Sequence, residues 1–196
     1  SAFLAREAER HGIHEVTVLP HGTDPSPRRT TPGAFVFLGS LAFHKGPDLV
    51  AKAWKIAKLR DPELPPLRIV GPEIDAAYVR NLPAEMIEPP VDNSEVPDLL
   101  ASAHALVLGS RWPENAPLVI HEARAVGCPT VAPDIGGIPE LIVPERDGRL
   151  YTPGSAESLA ETLLDWRRFK TYPVEAPPSF EDHLDLLEAH YKRLIG

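Results

Sequence analysis

The sequence predicts an α/β fold with a single doubly wound parallel sheet of about six strands and flanking helices. Three observations support this prediction. Short β-branched or aromatic runs alternate with segments of helical periodicity along the 196 residues. The run Ala105–Leu108 is apolar throughout, which is typical of a parallel strand buried on both faces. Most of the 23 prolines fall between these segments, where they mark loops.

The order of the predicted elements identifies the loops that would face a ligand. The runs predicted as strands are Glu15–Leu19, Ala34–Leu38, Leu67–Val70, Glu85–Glu88, Ala105–Leu108 and Pro129–Ala132. The segments predicted as helices are Ala2–His11, Pro47–Leu59, Ile74–Arg80, Ser94–Ala101 with Ser94 as its N-cap, Pro117–Val126, Ile138–Val143, Ser155–Trp166 and Phe180–Ile195. Sheets of this class bind ligands in the loops that follow the carboxyl ends of their strands. The loops of interest are therefore 39–46, 71–73, 109–117 and 133–138.

Composition argues against several classes of function. The chain has 28 acidic and 20 basic residues and a formal net charge of −8, which disfavours a general nucleic-acid binder. Cys128 is the single cysteine, so no internal disulfide can form and a cytoplasmic, reducing setting is expected. No apolar run approaches the roughly 20 residues that a membrane span requires, and no signal peptide is visible. The 8 histidines lack the spacing of metal ligands, so no metal is expected.

The loop after the second predicted strand carries a lysine between glycines. It reads GSLAFHKG (39–46) and matches neither the P-loop pattern nor the dinucleotide fingerprint. Lys45, at the start of a helix, could meet a phosphate as a point charge beside backbone amides. Taken alone, however, the loop is better explained by an ordinary surface lysine near a helix.

The segment RWPENAPLVIHEARAVGCPT (111–130) places one glutamate in a loop and another on a helix. Pro117 suits the first helical turn, and the free amides of that turn form an anion site. Glu122 shares a helical stripe with apolar residues that should face the sheet, and glutamate is rarely buried without a partner. Two interpretations remain open. One is an ion pair with Arg111 or Arg124, and the other is a set of hydrogen bonds to the adjacent hydroxyls of a ribose or sugar.

Several blocks of the sequence together resemble a known family. They are VLPHGTD (18–24), FVFLGSLAFHKGPDLVAKAW (35–54), LRIVGPE (67–73) and ALVLGSRWPENAPLVIHEARAVGCPTVAPDIGGIPELIVPERDGRLY (105–151). These blocks look like the C-terminal, nucleotide-sugar-binding domain of a glycosyltransferase of family 4. Glu114 and Glu122, with seven residues between them, match that family's E-x7-E signature. The resemblance implies a GT-B architecture, in which two Rossmann-like domains face each other across a cleft and the C-terminal one binds the donor.

The resemblance also implies a role for each site residue. Glu114 would contact the hydroxyls of the transferred sugar and Lys45 would neutralise the leaving diphosphate, which makes these two the predicted catalytic residues. Glu122 would bind the ribose. The full predicted donor-binding set is Gly39, Ser40, Lys45, Glu114, Asn115, Ala116, Pro117, Leu118 and Glu122. The donor would be a UDP- or GDP-linked sugar, the anomeric configuration would be retained, and neither a metal nor another cofactor would be required.

Two residues depart from the family pattern. Ser40 stands where the family usually has an arginine, so the Arg/Lys pair expected on the diphosphate is reduced to Lys45. His21 stands where an asparagine is usual in the turn before the second strand. The first departure predicts that donor affinity depends more on Lys45 and on the helix N-terminus.

The predicted organisation has three parts. Residues 1–14 resemble the last helix and crossover of an N-terminal acceptor domain, 15–178 form the donor-binding domain, and 179–196 form a C-terminal helix. The expected partners are a nucleotide sugar and the N-terminal domain of the same enzyme. Because members of the family often modify lipid-linked acceptors, the resemblance also allows peripheral association of the full-length enzyme with a membrane. This fragment alone is expected to bind donor but to turn over poorly. Two alternatives remain: a sugar-nucleotide epimerase or phosphorylase of the same architecture, and a degenerate, non-catalytic module that only binds a nucleotide sugar or a partner protein.

Overall fold

The computed structural model describes residues 1–23, 31, 33–168 and 178–195, and its centre is a sheet of six parallel strands. The strands are β1 Phe35–Leu38, β2 Leu67–Val70, β3 Ile87–Glu88, β4 Ala105–Val107, β5 Thr130–Pro133 and β6 Gly148–Tyr151. The α-helices are α1 Ala2–Arg10, α2 Pro47–Arg60, α3 Ala76–Val79, α4 Val96–Ala101, α5 Leu118–Ala125, α6 Ala156–Leu164 and α7 Phe180–Ile195. The predicted fold class is therefore confirmed.

The strand order, β3-β2-β1-β4-β5-β6, reverses direction between β1 and β4. After β1 the chain adds β2 and β3 on one side, and it then returns to add the other three strands on the opposite side. β1 and β4 pair in parallel, with Phe35 opposite Ala105. At such a switch point the loops after the two strands diverge and leave a crevice at their carboxyl ends. Loops 39–46 and 109–117 flank that crevice.

Helices cover both faces of the sheet, and alternate residues of β1 belong to the two apolar layers between them. Phe35 and Phe37 pack in the layer beneath α2 and α6, whereas Val36 packs in the layer beneath α4 and α5. All three side chains are buried. Burying one such side chain contributes about 1.5–3 kcal/mol. A one-residue slip of β1 would exchange the two layers, so this packing fixes where the loop after β1 begins.

The predicted strand Glu15–Leu19 is wrong. Glu15 has a left-handed backbone (φ 62°) that interrupts the extended run, and within the described residues the segment pairs with no strand. The sixth strand is instead β6, which pattern analysis missed because Arg149 breaks its apolar run. β6 lies at the edge of the sheet beside β5, and there the Arg149 side chain reaches Asp165 with a nitrogen–oxygen distance of 2.8 Å.

Helix boundaries differ from prediction where capping decides them. Ser94 does not cap its helix: Asp92 and Glu95 form a reciprocal capping box around a 3-10 turn, and α4 begins one residue later. The segment Ile138–Val143 forms a single 3-10 turn, Ile138–Leu141. Pro117 lies just before the first residue of α5. α2 extends one residue further than predicted, to Arg60, and α7 has the predicted bounds, whereas α1, α3 and α6 are shorter than predicted.

Some predictions concern parts of the chain outside the description. Residues 24–30, 32, 169–177 and 196 lie outside it. The path of the chain into α7, on which the predicted division at residue 178 depends, is therefore not described. Among the described helices, none combines the length and the apolar character needed to cross a membrane.

Candidate functional site

A cleft of about 330 Å³ opens at the carboxyl ends of β1 and β4. The residues that line it are Phe37, Leu38, Gly39, Ser40, Lys45, Leu108, Gly109, Ser110, Glu114, Pro117, Leu118 and Val119. Six of the predicted site residues are among them, namely Gly39, Ser40, Lys45, Glu114, Pro117 and Leu118. The topology brings these residues together from two loops that are about 70 positions apart in the sequence, as the strand order requires.

Lys45 and Glu114 form an ion pair in this cleft. The Lys45 Nζ lies 2.7 Å from Glu114 Oε2, and the two side chains are 32% and 14% exposed. The hydroxyl of Ser110, which is buried, donates to the other oxygen of the same carboxylate. Glu114 therefore has both oxygens engaged, while part of the lysine ammonium faces the open space. Such an arrangement presents a fixed cation beside a fixed hydrogen-bond acceptor.

Close backbone contact holds the two loops together. Gly46 has a left-handed backbone (φ 66°), and a methyl group added there would lie 2.1 Å from the carbonyl oxygen of Gly109. The next residues are also joined, because the Arg111 backbone amide donates to the His44 carbonyl at 2.9 Å. The His44 ring stacks on Trp112, with ring centroids 4.8 Å apart. Lys45 and Glu114 meet because the backbones that carry them are in contact.

The N-terminus of α5 provides the third feature of the cleft. Pro117 precedes the helix and gives it no side-chain cap, and Pro117, Leu118 and Val119 all line the cleft. The first amides of a helix have no acceptor within the helix, and the aligned peptide dipoles place partial positive charge there. Lys45 and this helix end therefore favour an anion in the same space.

Asn115 and Ala116 face a neighbouring crevice rather than the cleft. That crevice has a volume of about 420 Å³ and is bordered by α1, the segment 16–21 and the 3-10 turn Ile138–Leu141. The Ser1 hydroxyl donates to Asn115 Oδ1 at 2.5 Å. The two predicted residues thus separate the two spaces, with Glu114 on one side.

Glu122 is half-buried on α5, and it does not line the cleft. Neither arginine considered from the sequence pairs with it: Arg111 binds Asp48 through two hydrogen bonds, and Arg124 lies 3.9 Å from Asp147. Within the described residues no hydrogen-bond or ion-pair partner of Glu122 is found. Burial raises the pKa of this carboxyl above its ordinary value because it disfavours the charged form.

Sequence patterns did not single out His121, which precedes Glu122. The residue is 5% exposed, and neither ring nitrogen has a hydrogen-bond partner among the described residues. Burial, followed by the nearby charges of His21 and Arg124, lowers the pKa of His121 to about 4. The imidazole is therefore neutral at pH 7. Its edge-to-face contact with the His21 ring, at 5.7 Å between centroids, occurs at the position where the sequence departs from the family pattern.

A family model identifies the chain. Residues 23–169 match the model described as glycosyl transferases group 1. The chain belongs to this family. The matched range contains both loops of the cleft and the whole of the sheet.

Similar proteins support the same classification. The chain is 29% identical over 165 residues to glycogen synthase of Mycobacterium tuberculosis (strain ATCC 25618 / H37Rv), covering 78% of this chain and 40% of that protein. It is 31% identical over 156 residues to D-inositol 3-phosphate glycosyltransferase of Pseudarthrobacter chlorophenolicus, covering 73% and 35%. Its fold matches Anabaena Alr3699/HepE, crystallised with UDP and glucose, with a TM-score of 0.68, 19% identity and coverage of 97% and 52%. The chain thus spans about 40% of the length of the curated relatives that it matches.

Proposed function

We propose that this chain is the donor-binding domain of a retaining glycosyltransferase of family 4, the C-terminal half of a GT-B enzyme. The donor would be a nucleoside-diphosphate sugar, with UDP or GDP as the nucleotide, and the acceptor a hydroxyl group held by an N-terminal domain. The observation that carries this proposal is the Lys45–Glu114 pair, 2.7 Å apart, in a cleft at the switch point of the sheet.

The proposed reaction places opposite charges at the two ends of one breaking bond. The bond between the anomeric carbon and the diphosphate oxygen breaks, a bond to the acceptor oxygen forms, and the acceptor proton passes to the leaving phosphate. Lys45 and the α5 amides would stabilise the negative charge that develops on the diphosphate. Glu114 would accept hydrogen bonds from the sugar hydroxyls and favour the positive charge near the anomeric carbon. Groups that bind these charges more tightly in the transition state than in the donor accelerate transfer, and no metal is needed for this.

Glu122 supplies the ribose contact in this proposal. Its carboxylate has no partner among the described residues, and burial raises its pKa. The adjacent hydroxyls of a ribose are two donors that one carboxylate can accept together. Because Glu122 does not line the cleft in this arrangement, we expect the side chain to turn toward the nucleotide on binding.

The comparisons support the choice of ligand. Anabaena Alr3699/HepE, which has the same fold over 97% of this chain, was crystallised with UDP and glucose. The two curated relatives are named as a synthase of a polysaccharide and a glycosyltransferase of an inositol phosphate.

Calorimetric titration of the chain with UDP, GDP and UDP-glucose tests the proposal. Lys45→Ala should weaken binding of the preferred nucleotide by roughly 10- to 100-fold, because a charge-assisted hydrogen bond to the diphosphate is lost. Lys52→Ala is the matched control, since Lys52 is exposed on α2 and does not line the cleft. The control should bind like wild type.

A second pair of variants tests the ribose contact. Glu122→Gln should weaken UDP binding by about 10-fold, since the amide supplies one acceptor where the carboxylate supplies two. Glu85→Gln, at an exposed position, should have no effect. If wild type binds no nucleotide at millimolar concentration, the donor-site assignment is wrong, and a degenerate module that binds a partner protein becomes the better description. If it binds nucleotide but Lys45→Ala and Glu122→Gln bind equally well, the nucleotide occupies another site.

A further inference from the structure

The cleft is accompanied by a second ion pair that lies outside it. Arg111 donates from Nη1 to Asp48 Oδ1 at 2.8 Å and from Nη2 to Asp48 Oδ2 at 2.6 Å. This bidentate geometry is the most directional form of a salt bridge. Neither residue lines the cleft, and their side chains are only 22% and 39% exposed. Because these two side chains bind each other outside the cleft, we expect their effect on nucleotide binding to pass through Lys45 and Glu114.

Arg111 also grips the loop that carries Lys45. Its Nη1 donates to the Phe43 carbonyl at 2.6 Å, and its guanidinium lies 4.3 Å from the centre of the Phe43 ring. Its own backbone amide donates to the His44 carbonyl at 2.9 Å. Three contacts thus join one residue of the Glu114 loop to the two residues that precede Lys45. Phe43 itself is 65% exposed, and its ring also meets the Tyr78 ring edge to face, with centroids 6.3 Å apart.

Asp48 anchors the same arginine to the helix that follows Lys45. It lies in the first turn of α2, where a carboxylate is favoured by the helix dipole. Tyr78 of α3 donates its hydroxyl to Asp48, which restricts the carboxylate further. Arg111 therefore binds the chain on both sides of Lys45 and Gly46. Before them it binds the carbonyls of residues 43 and 44, and after them it binds Asp48. Glu114 is three residues beyond Arg111 on the other loop.

We propose that Arg111 and Asp48 are positioning residues of the donor site, which hold the Lys45 loop against the Glu114 loop so that the ammonium and the carboxylate meet at 2.7 Å across the cleft. This inference rests on the proposed function only in that the measured ligand is a nucleoside diphosphate. Without the contacts of Arg111 and Asp48, Lys45 stays on the protein surface but loses its fixed place opposite the α5 N-terminus. The pre-organisation that makes one lysine sufficient, where the arginine expected at Ser40 is missing, is lost.

A double-mutant cycle distinguishes positioning from a general loss of structure. The UDP dissociation constant is measured by calorimetry for wild type, Arg111→Ala, Lys45→Ala and the double variant, and thermal unfolding is recorded for each. Arg111→Ala should weaken UDP binding on the order of 10-fold in the wild-type background, which is within the usual range of coupled residues. In the Lys45→Ala background the same substitution should change the affinity by less than about twofold. Arg80→Ala, at an exposed position just after α3, is the control and should leave the affinity unchanged.

Conservative variants distinguish a positioning role from misfolding. Arg111→Lys keeps the charge but loses the bidentate geometry, so its affinity should fall between those of wild type and Arg111→Ala. Asp48→Asn should weaken UDP binding in the same direction and should also lose its effect when Lys45 is absent. A folded Arg111→Ala protein with wild-type affinity would overturn the inference, as would an equal loss in both backgrounds. The proposed function fails separately, when Lys45→Ala itself has no effect or wild type binds no nucleotide.

Discussion

The two glutamates of the E-x7-E pair lie in opposite surroundings. Glu114, in the loop after β4, has one oxygen bound by Lys45 and the other by the hydroxyl of Ser110. Glu122, eight positions later on α5, is half-buried and has no partner among the described residues. One carboxylate is satisfied by the protein and the other is not. Burial of an unpaired carboxylate costs free energy, so the fold bears that cost at Glu122 and avoids it at Glu114.

This difference bears on what each residue can do. A carboxylate held on both oxygens is pre-organised, and a ligand reaches it without waiting for a side-chain rearrangement. A carboxylate without a partner is a group that a ligand can satisfy, and the free energy gained on binding includes relief of its burial. Glu114 is therefore suited to a fixed role beside the reacting sugar. Glu122 is suited to binding hydroxyl donors.

The largest effect is expected from Gly46→Ala, which disturbs the contact between the loops that carry Lys45 and Glu114. The new methyl group would lie 2.1 Å from the Gly109 carbonyl oxygen and would also force alanine into a left-handed backbone. We expect a loss of about 3 kcal/mol or more in the free energy of unfolding, measured by urea denaturation, and no detectable UDP binding. Gly154→Ala is the control: Gly154 has a φ of 75°, but a methyl group there meets nothing within 4 Å. Its loss should be only about 1–2 kcal/mol, with binding retained. Equal losses for the two variants would contradict the close contact.

The surroundings of Glu122 can be tested through the pH dependence of stability, which reports on its neighbour His121. The pKa of His121 is lowered to about 4 in the folded chain, against 6.5 as its ordinary value. The unfolded chain therefore binds the extra proton first, and folded stability falls as the pH decreases from about 6.5 toward 4. His121→Leu should remove this part of the fall. The free energy of unfolding, measured at several pH values in that window, should depend less steeply on pH in the variant. Parallel curves for the two proteins would show that His121 is not buried as described.

Charge removal at the two glutamates should have opposite effects on stability. Glu114→Gln breaks an ion pair and should lower the free energy of unfolding at pH 7 by about 1 kcal/mol, since the pair is partly solvated. Glu122→Gln removes an unpaired, half-buried charge and should raise it by about 0.5–1 kcal/mol while weakening UDP binding. Denaturation and calorimetry on the same samples give both quantities. Two changes of the same sign would remove the distinction between the residues.

The smallest effect is expected at Ser110. Ser110→Ala removes the hydroxyl that donates to Glu114 and leaves the ion pair with Lys45 in place. We expect a loss of roughly 0.5–1.5 kcal/mol in stability and a change in UDP affinity of less than about twofold. Differential scanning calorimetry and a UDP titration measure the two effects. A loss of affinity as large as that of Lys45→Ala would mean that Ser110 contacts the ligand directly.

Much of the fold could be predicted from local sequence pattern, and each wrong prediction has an identifiable physical cause. The strand β4 and the helix α2 could be predicted because burial on both faces and a 3.6-residue period leave clear patterns. The run Glu15–Leu19 has a strand's composition, but strand formation depends on a pairing partner that composition does not reveal. β6 was missed for the opposite reason, because an edge position tolerates Arg149.

The site could be predicted in part, for reasons that topology makes clear. The family resemblance predicted that Lys45 and Glu114 share one site, and the loops that carry them follow strands of one parallel sheet, whose carboxyl ends share an edge. Their 2.7 Å contact, the Arg111–Asp48 clamp and the hydroxyl of Ser110 depend on side-chain geometry across loops that are far apart in sequence. No periodicity encodes such contacts. The sequence also could not distinguish an ion pair from a ligand contact at Glu122, because that choice depends on where Arg111 and Arg124 lie in the fold.

The most direct test of the account is a UDP titration of the isotope-labelled chain followed by amide chemical shifts. The account predicts that the largest changes appear at Gly39, Lys45, Glu114, Leu118 and Val119, the residues of the cleft and the α5 N-terminus. It also predicts a smaller change at Glu122. Changes confined to α7 or to the crevice beside α1, or no changes at millimolar UDP, would contradict the assignment of this cleft as the donor site.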